Sequence, residues 1–222
     1  MAETQPVLLL TGRKHAGKDA VVVRGLPIRI EERPNETGQT GFIVWDAALA
    51  LVSYLETRFR GGSPQEIIDL GAGTGLCGIA AAKLFPSSHV TLTDLPELLP
   101  QLDHNIGKNP TLQSRIRARA LDWDKVRGED EIVRAAHDLV LASDCVWLRE
   151  HVEPFARTAE ILCASSPGAK LVLSQQRRSE KLETALVREL EDRGFAQVVP
   201  PHLASETPTI RVMVMALQRT QT

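Results

Sequence analysis

Three glycines at alternate positions, Gly71, Gly73 and Gly75, follow the apolar run Glu66-Ile67-Ile68-Asp69-Leu70 and lead into residues of helical spacing that begin at Leu76. Glycines so placed remove side chains where a backbone must turn sharply and lie against a ligand, and the helix behind them offers unpaired N–H groups at its start. That chemistry suits a nucleotide-like ligand. The dinucleotide rule G-x-G-x-x-G is not met, because Leu76 stands where its third glycine belongs. Roughly 20 residues beyond the loop, where a ribose-binding acid is expected, Asp94 ends the run His89-Val90-Thr91-Leu92-Thr93. Its carboxylate could accept from both ribose hydroxyls, or cap the helix starting near Pro96.

Two more clusters follow strand-like runs. Asp122-Trp123-Asp124 comes after residues 117–120, and Ser143-Asp144-Cys145-Val146-Trp147 after residues 138–142. In parallel α/β sheets ligands lie beyond the carboxyl ends of the strands, so both clusters face the same crevice as the glycines. The Trp123 indole offers a flat face for a base, with Asp122 placed to accept from an exocyclic amine; a half-buried packing role is the alternative. Asp144 could accept hydrogens from an incoming amine, and Trp147 could stabilise a cation over its ring, although an acid at a strand end also caps helices. A rival phosphate loop, Gly12-Arg13-Lys14-His15-Ala16-Gly17-Lys18, has Asp19 in place of the magnesium-holding Ser or Thr. A β-branched run, Gly25 and Pro27 then stand where its helix should be, so it reads as a basic hairpin turn.

These residues need a parallel sheet to bring them together. Strand-like runs at 66–70, 89–93, 117–120, 138–142 and 170–174 alternate with helical stretches at 76–84, 96–106 and 152–164. A helix over 179–193 stops at Gly194, and runs at 196–199 and 209–218 predict an antiparallel hairpin at one edge. Ahead of the sheet, the spacing predicts a helix over 43–60 that stops at Gly61-Gly62-Ser63-Pro64. The short runs Val7-Leu8-Leu9-Leu10, Ala20-Val21-Val22-Val23-Arg24 and Ile28-Arg29-Ile30 predict a small β-rich appendage. The expected division is an extension over 1–37 and one α/β domain over 38–222.

The chain has 222 residues, 43% hydrophobic, which is enough for one good core. A formal charge of −2 provides no general attraction to phosphate backbones, so protein or small molecule is favoured over nucleic acid as partner. Cys77, Cys145 and Cys163 are odd in number and lack metal-ligand spacing, which points to a reducing compartment without structural zinc. No apolar run spans a bilayer and the start has no basic region before an apolar stretch. No membrane partner is expected, and the expected location is the cytoplasm, with the nucleus also open.

Gly38-Gln39-Thr40-Gly41-Phe42-Ile43-Val44-Trp45-Asp46, Asp69 to Gly75, Asp94, Trp123 and Ser143 to Trp147, in this order, resemble the seven-strand S-adenosylmethionine-dependent methyltransferases. The branch is that of the lysine methyltransferases (methyltransferase family 16), and the resemblance covers roughly residues 38 to 195, most of one domain. It implies a Rossmann-like sheet of seven strands, mostly parallel, with an antiparallel hairpin at its C-terminal end. It also implies S-adenosylmethionine as cofactor, no metal, and a lysine side chain of a protein as acceptor. Trp45 would pack near the methionine end, Asp69 would hold the ammonium or tie down the turn, and Gly71, Ala72 and Gly73 would line the cofactor. Asp94 with Leu95 would take the ribose, Asp122 and Trp123 the adenine, and Ser143 an adjoining backbone contact. Asp144 and Trp147 are the catalytic candidates. Lysine-modifying relatives usually carry Asp-x-x-Tyr, whereas this chain has Asp144-Cys145-Val146-Trp147, exchanging a phenol for an indole that can only donate. Transfer to a small molecule, or binding without turnover, are the alternatives that this exchange raises.

Overall fold

The computed structural model describes residues 20–33, 40–60, 62–128, 130–199 and 209–218. The run at Val7 to Leu10 and the glycine-lysine loop at 12–18 lie outside them. Strands β1 (Ala20–Val23) and β2 (Leu26–Arg29) form an antiparallel hairpin, closed by Arg24 and Gly25 at φ 49° and 73°. Two successive left-handed residues match the right-handed twist of the flanking strands. Val23 and Ile28 are fully buried, so the hairpin shares the main core.

The sheet carries strands β3 (Glu66–Leu70), β4 (His89–Asp94), β5 (Ile116–Ala120), β6 (Leu139–Ser143), β7 (Lys170–Gln176), β8 (Phe195–Gln197) and β9 (Ile210–Leu217). Their spatial order is β5-β4-β3-β6-β7-β9-β8, parallel from β5 through β7 and antiparallel from β7 to β9 and β9 to β8. The chain winds outward from β3 to β4 and β5, then returns to place β6 on the other side of β3, which opens a crevice at the carboxyl ends of β3 and β6.

Successive strand residues feed opposite cores. Ile67, Leu139 and Leu141 join the layer of α1 (Asp46–Thr57) and α2 (Leu76–Leu84), while Ile68, Leu70, Val140 and Ala142 join that of α5 (Val152–Ala164) and α6 (Glu180–Asp192). The period of two is the reason, since neighbouring Cβ atoms point to opposite faces. Helix α3 (Leu99–Gly107) packs on the first face. A single-turn helix α4 (Glu131–Arg134) lies between β5 and β6. No helix among the described residues is long and apolar enough to cross a membrane.

The helix expected over 43–60 is shorter at both ends. Residues 40–42 form a 3₁₀ turn, and Trp45 is extended (φ −92°, ψ 151°), so α1 starts at Asp46. The Val44 N–H, ahead of the helix, is taken by Glu32 Oε1 at 2.6 Å. At the other end, the N–H groups of Arg58 and Phe59 both turn back to the Tyr54 carbonyl, and the helix ends at Thr57.

Candidate functional site

The three alternate glycines adopt φ values of 63°, 55° and 82°, the left-handed region that side chains disfavour. At Gly71 space is limiting as well, because a Cβ there would stand 2.8 Å from Cys145 Cβ and 3.3 Å from the Trp123 ring. The loop is pinned from β4: Ala72 N–H donates to the Thr93 carbonyl, Gly73 N–H to Asp94 Oδ2, and Thr93 Oγ1 to the Asp69 carbonyl. Gly41, from the 3₁₀ turn, closes over Gly73 from the other side, its carbonyl 3.1 Å from where a Gly73 Cβ would lie.

Every site residue inferred from the sequence borders one cavity of about 360 Å³ at the carboxyl ends of the parallel strands. That volume is in the range of small-molecule sites. Asp69, after Ile68 in β3, is 1% exposed, and its Oδ2 accepts the Gly78 N–H in the first turn of α2. Burial pushes its carboxyl up to about 7, partly opposed by that hydrogen bond. Asp94 accepts the N–H groups of Gly73 and Leu95, both at 2.8 Å; burial raises its pKa, and both bonds work against the rise. The loop-tying role thus exists for both acids, and their placement on the cavity wall leaves the ligand role compatible with it.

Trp123 stands edge-on to Phe155 at 5.4 Å and to His151 at 6.5 Å, with its backbone carbonyl held by Arg157 Nη2. Asp122 accepts from Lys125 Nζ at 2.6 Å, which lowers its pKa, and from the Asp124 N–H. Trp147 is 43% exposed at the rim, edge-on to His151 at 5.4 Å. Trp45 donates its Nε1–H to the Thr40 carbonyl at 3.0 Å. Cys77 and Cys145 also border the cavity; burial raises both thiols well above their ordinary range, which suits packing and disfavours nucleophilic use.

Asp144 sits at φ 52°, an uncommon conformation for a residue with a side chain. Its carboxylate takes both terminal nitrogens of Arg178 at 2.6 Å and the Gln176 N–H at 3.2 Å. The sequence reading passed over Arg178 and His151. A strand-end argument extended to β7 would have reached Arg178, two residues past Gln176; His151 carries no local signal, because it enters through the turn before α5.

The cavity suits S-adenosylmethionine on its own chemistry. Two carboxylates, Asp69 and Asp94, an indole and a glycine cradle with no room for a Gly71 Cβ border one cavity, and these are the groups an ammonium, two hydroxyls and a purine would call for.

A family model described as lysine methyltransferase matches residues 24–193. EEF1A lysine methyltransferase 3 of Xenopus tropicalis is 31% identical over 182 residues, covering 82% of this chain and 75% of the relative. The Mus musculus protein of the same name is 36% identical over 156 residues, covering 68% of this chain and 62% of its own. Protein N-lysine methyltransferase METTL21A of Danio rerio is 35% identical over 159 residues, covering 71% and 70%. Among solved structures, magnesium protoporphyrin IX methyltransferase of Synechocystis with bound SAM superposes with a TM-score of 0.55 at 15% identity, covering 77% of this chain and 78% of that one. Human N-acetylserotonin methyltransferase with SAM gives 0.54 at 14%, and this chain spans 53% of its length. At such identities the structural likeness speaks to the fold.

Proposed function

Because the chain belongs to the lysine methyltransferase family, we propose that it methylates the side-chain amine of a lysine in a protein. Its methyl donor is S-adenosylmethionine, which when bound supplies an electrophilic methyl group on a sulfonium. The observation that carries the reading is the convergence of Asp69, Asp94, Trp123 and the glycine cradle on one cavity of donor size. In this reading Asp69 faces the ammonium, Asp94 with Leu95 the ribose, Trp123 and Asp122 the adenine, and Gly71, Ala72, Gly73, Trp45 and Ser143 the remaining wall. Asp144 and Trp147 form the acceptor end. Transfer of that methyl would leave the lysine nitrogen with one new N–C bond and one proton fewer, released to water. The protein's share of this work is positioning and exclusion of solvent. We further propose that residues 1–37 extend the domain over 38–222, with the hairpin of β1 and β2 packed into its core, and that the enzyme acts in the cytoplasm.

Methyl-labelled donor is added to extract of the source organism with wild type or Asp94→Ala, and protein, RNA and small-molecule fractions are separated. A labelled protein band that the variant does not produce supports the reading, and EEF1A is the first substrate to try, given the names of the relatives. Label confined to the small-molecule fraction would overturn it.

A further inference from the structure

Arg178 belongs to the short connection between β7 and α6. It grips both oxygens of Asp144 at 2.6 Å, and its Cζ lies 5.5 Å from the centre of the Trp45 ring. The Asp144 side chain is 1% exposed beneath it, whereas that of Arg178 is 37% exposed. A two-pronged pair over a desolvated carboxylate is the geometry guanidinium suits and ammonium does not. Resting on the reading of a lysine methyltransferase, and deepening it, we infer that Arg178 is a positioning residue of methyl transfer: by pairing with Asp144 it withholds that negative charge from the incoming lysine, which then reacts as the neutral amine.

Lysine in water has a pKa of about 10.4, so only about one amine in a thousand is neutral near pH 7.4. A bare carboxylate within about 4–6 Å of the amine would raise that value further, by roughly 1 to 3, and each such step removes a tenfold share of the nucleophile. With Arg178 in place the amine meets a neutral pair beside the Trp147 indole. The guanidinium stays charged throughout the working range, and its hydrogen bonds to Asp144 push its own pKa higher still.

The surrounding charges offer no substitute for it. Asp69 and Asp94 at the ends of β3 and β4 are acidic, and the Cys77 and Cys145 thiols are held neutral by burial. Glu97, Asp124 and Asp122, the last paired with Lys125, border the cavity. His151 stands beyond Trp147. Behind Arg178, Glu183 is already shared by Arg177 and Arg211. Among the described residues, Arg178 is the cation that reaches Asp144.

Rates of wild type, Arg178→Gln, Asp144→Asn and the double variant are measured between about pH 6.5 and 11.5, a range that brackets the free lysine value of about 10.4, on the protein substrate of the wild type. Donor is kept saturating, and donor affinity is read by calorimetry at each pH, because Asp69 titrates in the same range. For Arg178→Gln, the expected result is a kcat near pH 7.5 at least about tenfold lower, a kcat midpoint higher by about 1 or more, and no rise in substrate KM. Asp144→Asn, which leaves the cation alone, is expected to lower the midpoint, and the double variant to return it to the wild-type value. Should Arg178→Gln fail to bind donor, the other two variants decide, since neither leaves a buried carboxylate unpaired. Midpoints that coincide in all the folded proteins, with rates reduced equally at every pH, would mean a structural role and overturn the inference alone. A wild type that methylates no protein lysine overturns it together with the reading it rests on.

Discussion

Asp69 offers a direct measure of what the site costs the fold. Its carboxylate belongs to a residue 1% exposed and accepts the Gly78 N–H at 2.8 Å. Burial carries its pKa from the ordinary 3.8 to about 7, so the folded chain holds this proton more tightly than the unfolded chain does. Stability from this group is therefore full below pH 3.8 and is lost as pH rises through about 7. The complete shift corresponds to about 4 kcal/mol, of which roughly 3 kcal/mol is lost between about pH 5 and 8. Asp69→Asn keeps the shape and an oxygen for the Gly78 N–H but cannot ionise. In urea unfolding of donor-free protein, its advantage over wild type is expected to grow by about 3 kcal/mol from about pH 5 to 8, other titrations cancelling in the difference. Saturating donor, whose ammonium would compensate the charge, should narrow the gap at the upper pH. A difference that stays flat across this range would refute the account of Asp69 as a strained buried acid.

Gly78→Ala places a Cβ 2.1 Å from Leu92 Cδ2, inside a core where Leu92 is fully buried. It is expected to cost about 1–3 kcal/mol, seen as a lower denaturation midpoint with an unchanged m-value. Gly71→Ala combines a φ of 63° with a Cβ 2.8 Å from Cys145 Cβ. Calorimetry should show donor affinity weakened by roughly tenfold or more, since the cradle must shift by tenths of an ångström. Phe155→Ala empties a fully buried position that also meets the edge of Trp123. A loss of about 3–5 kcal/mol is expected in chemical denaturation.

Local pattern carried much of this protein. The runs at 66–70, 76–84 and 152–164 coincide residue for residue with β3, α2 and α5, because apolar spacing and glycine stops record which face of each element is buried. The glycine loop and the strand-end acids were legible for the same reason: parallel strands must deliver their carboxyl ends to one crevice. What tertiary structure alone decided involves partners distant in sequence. Helix α1 starts at Asp46, behind a segment whose Val44 N–H is held by the distant Glu32, and the one-turn α4 exists through burial of Val133 with too few residues to show a period. Asp144 and Arg178 are 34 residues apart, and no periodicity links them. Only the register that sets Ser143 beside Ser174, one strand over, brings that charge pair to the mouth of the site. Spacing reports what each segment buries; which charge meets which is fixed when the strands are laid side by side.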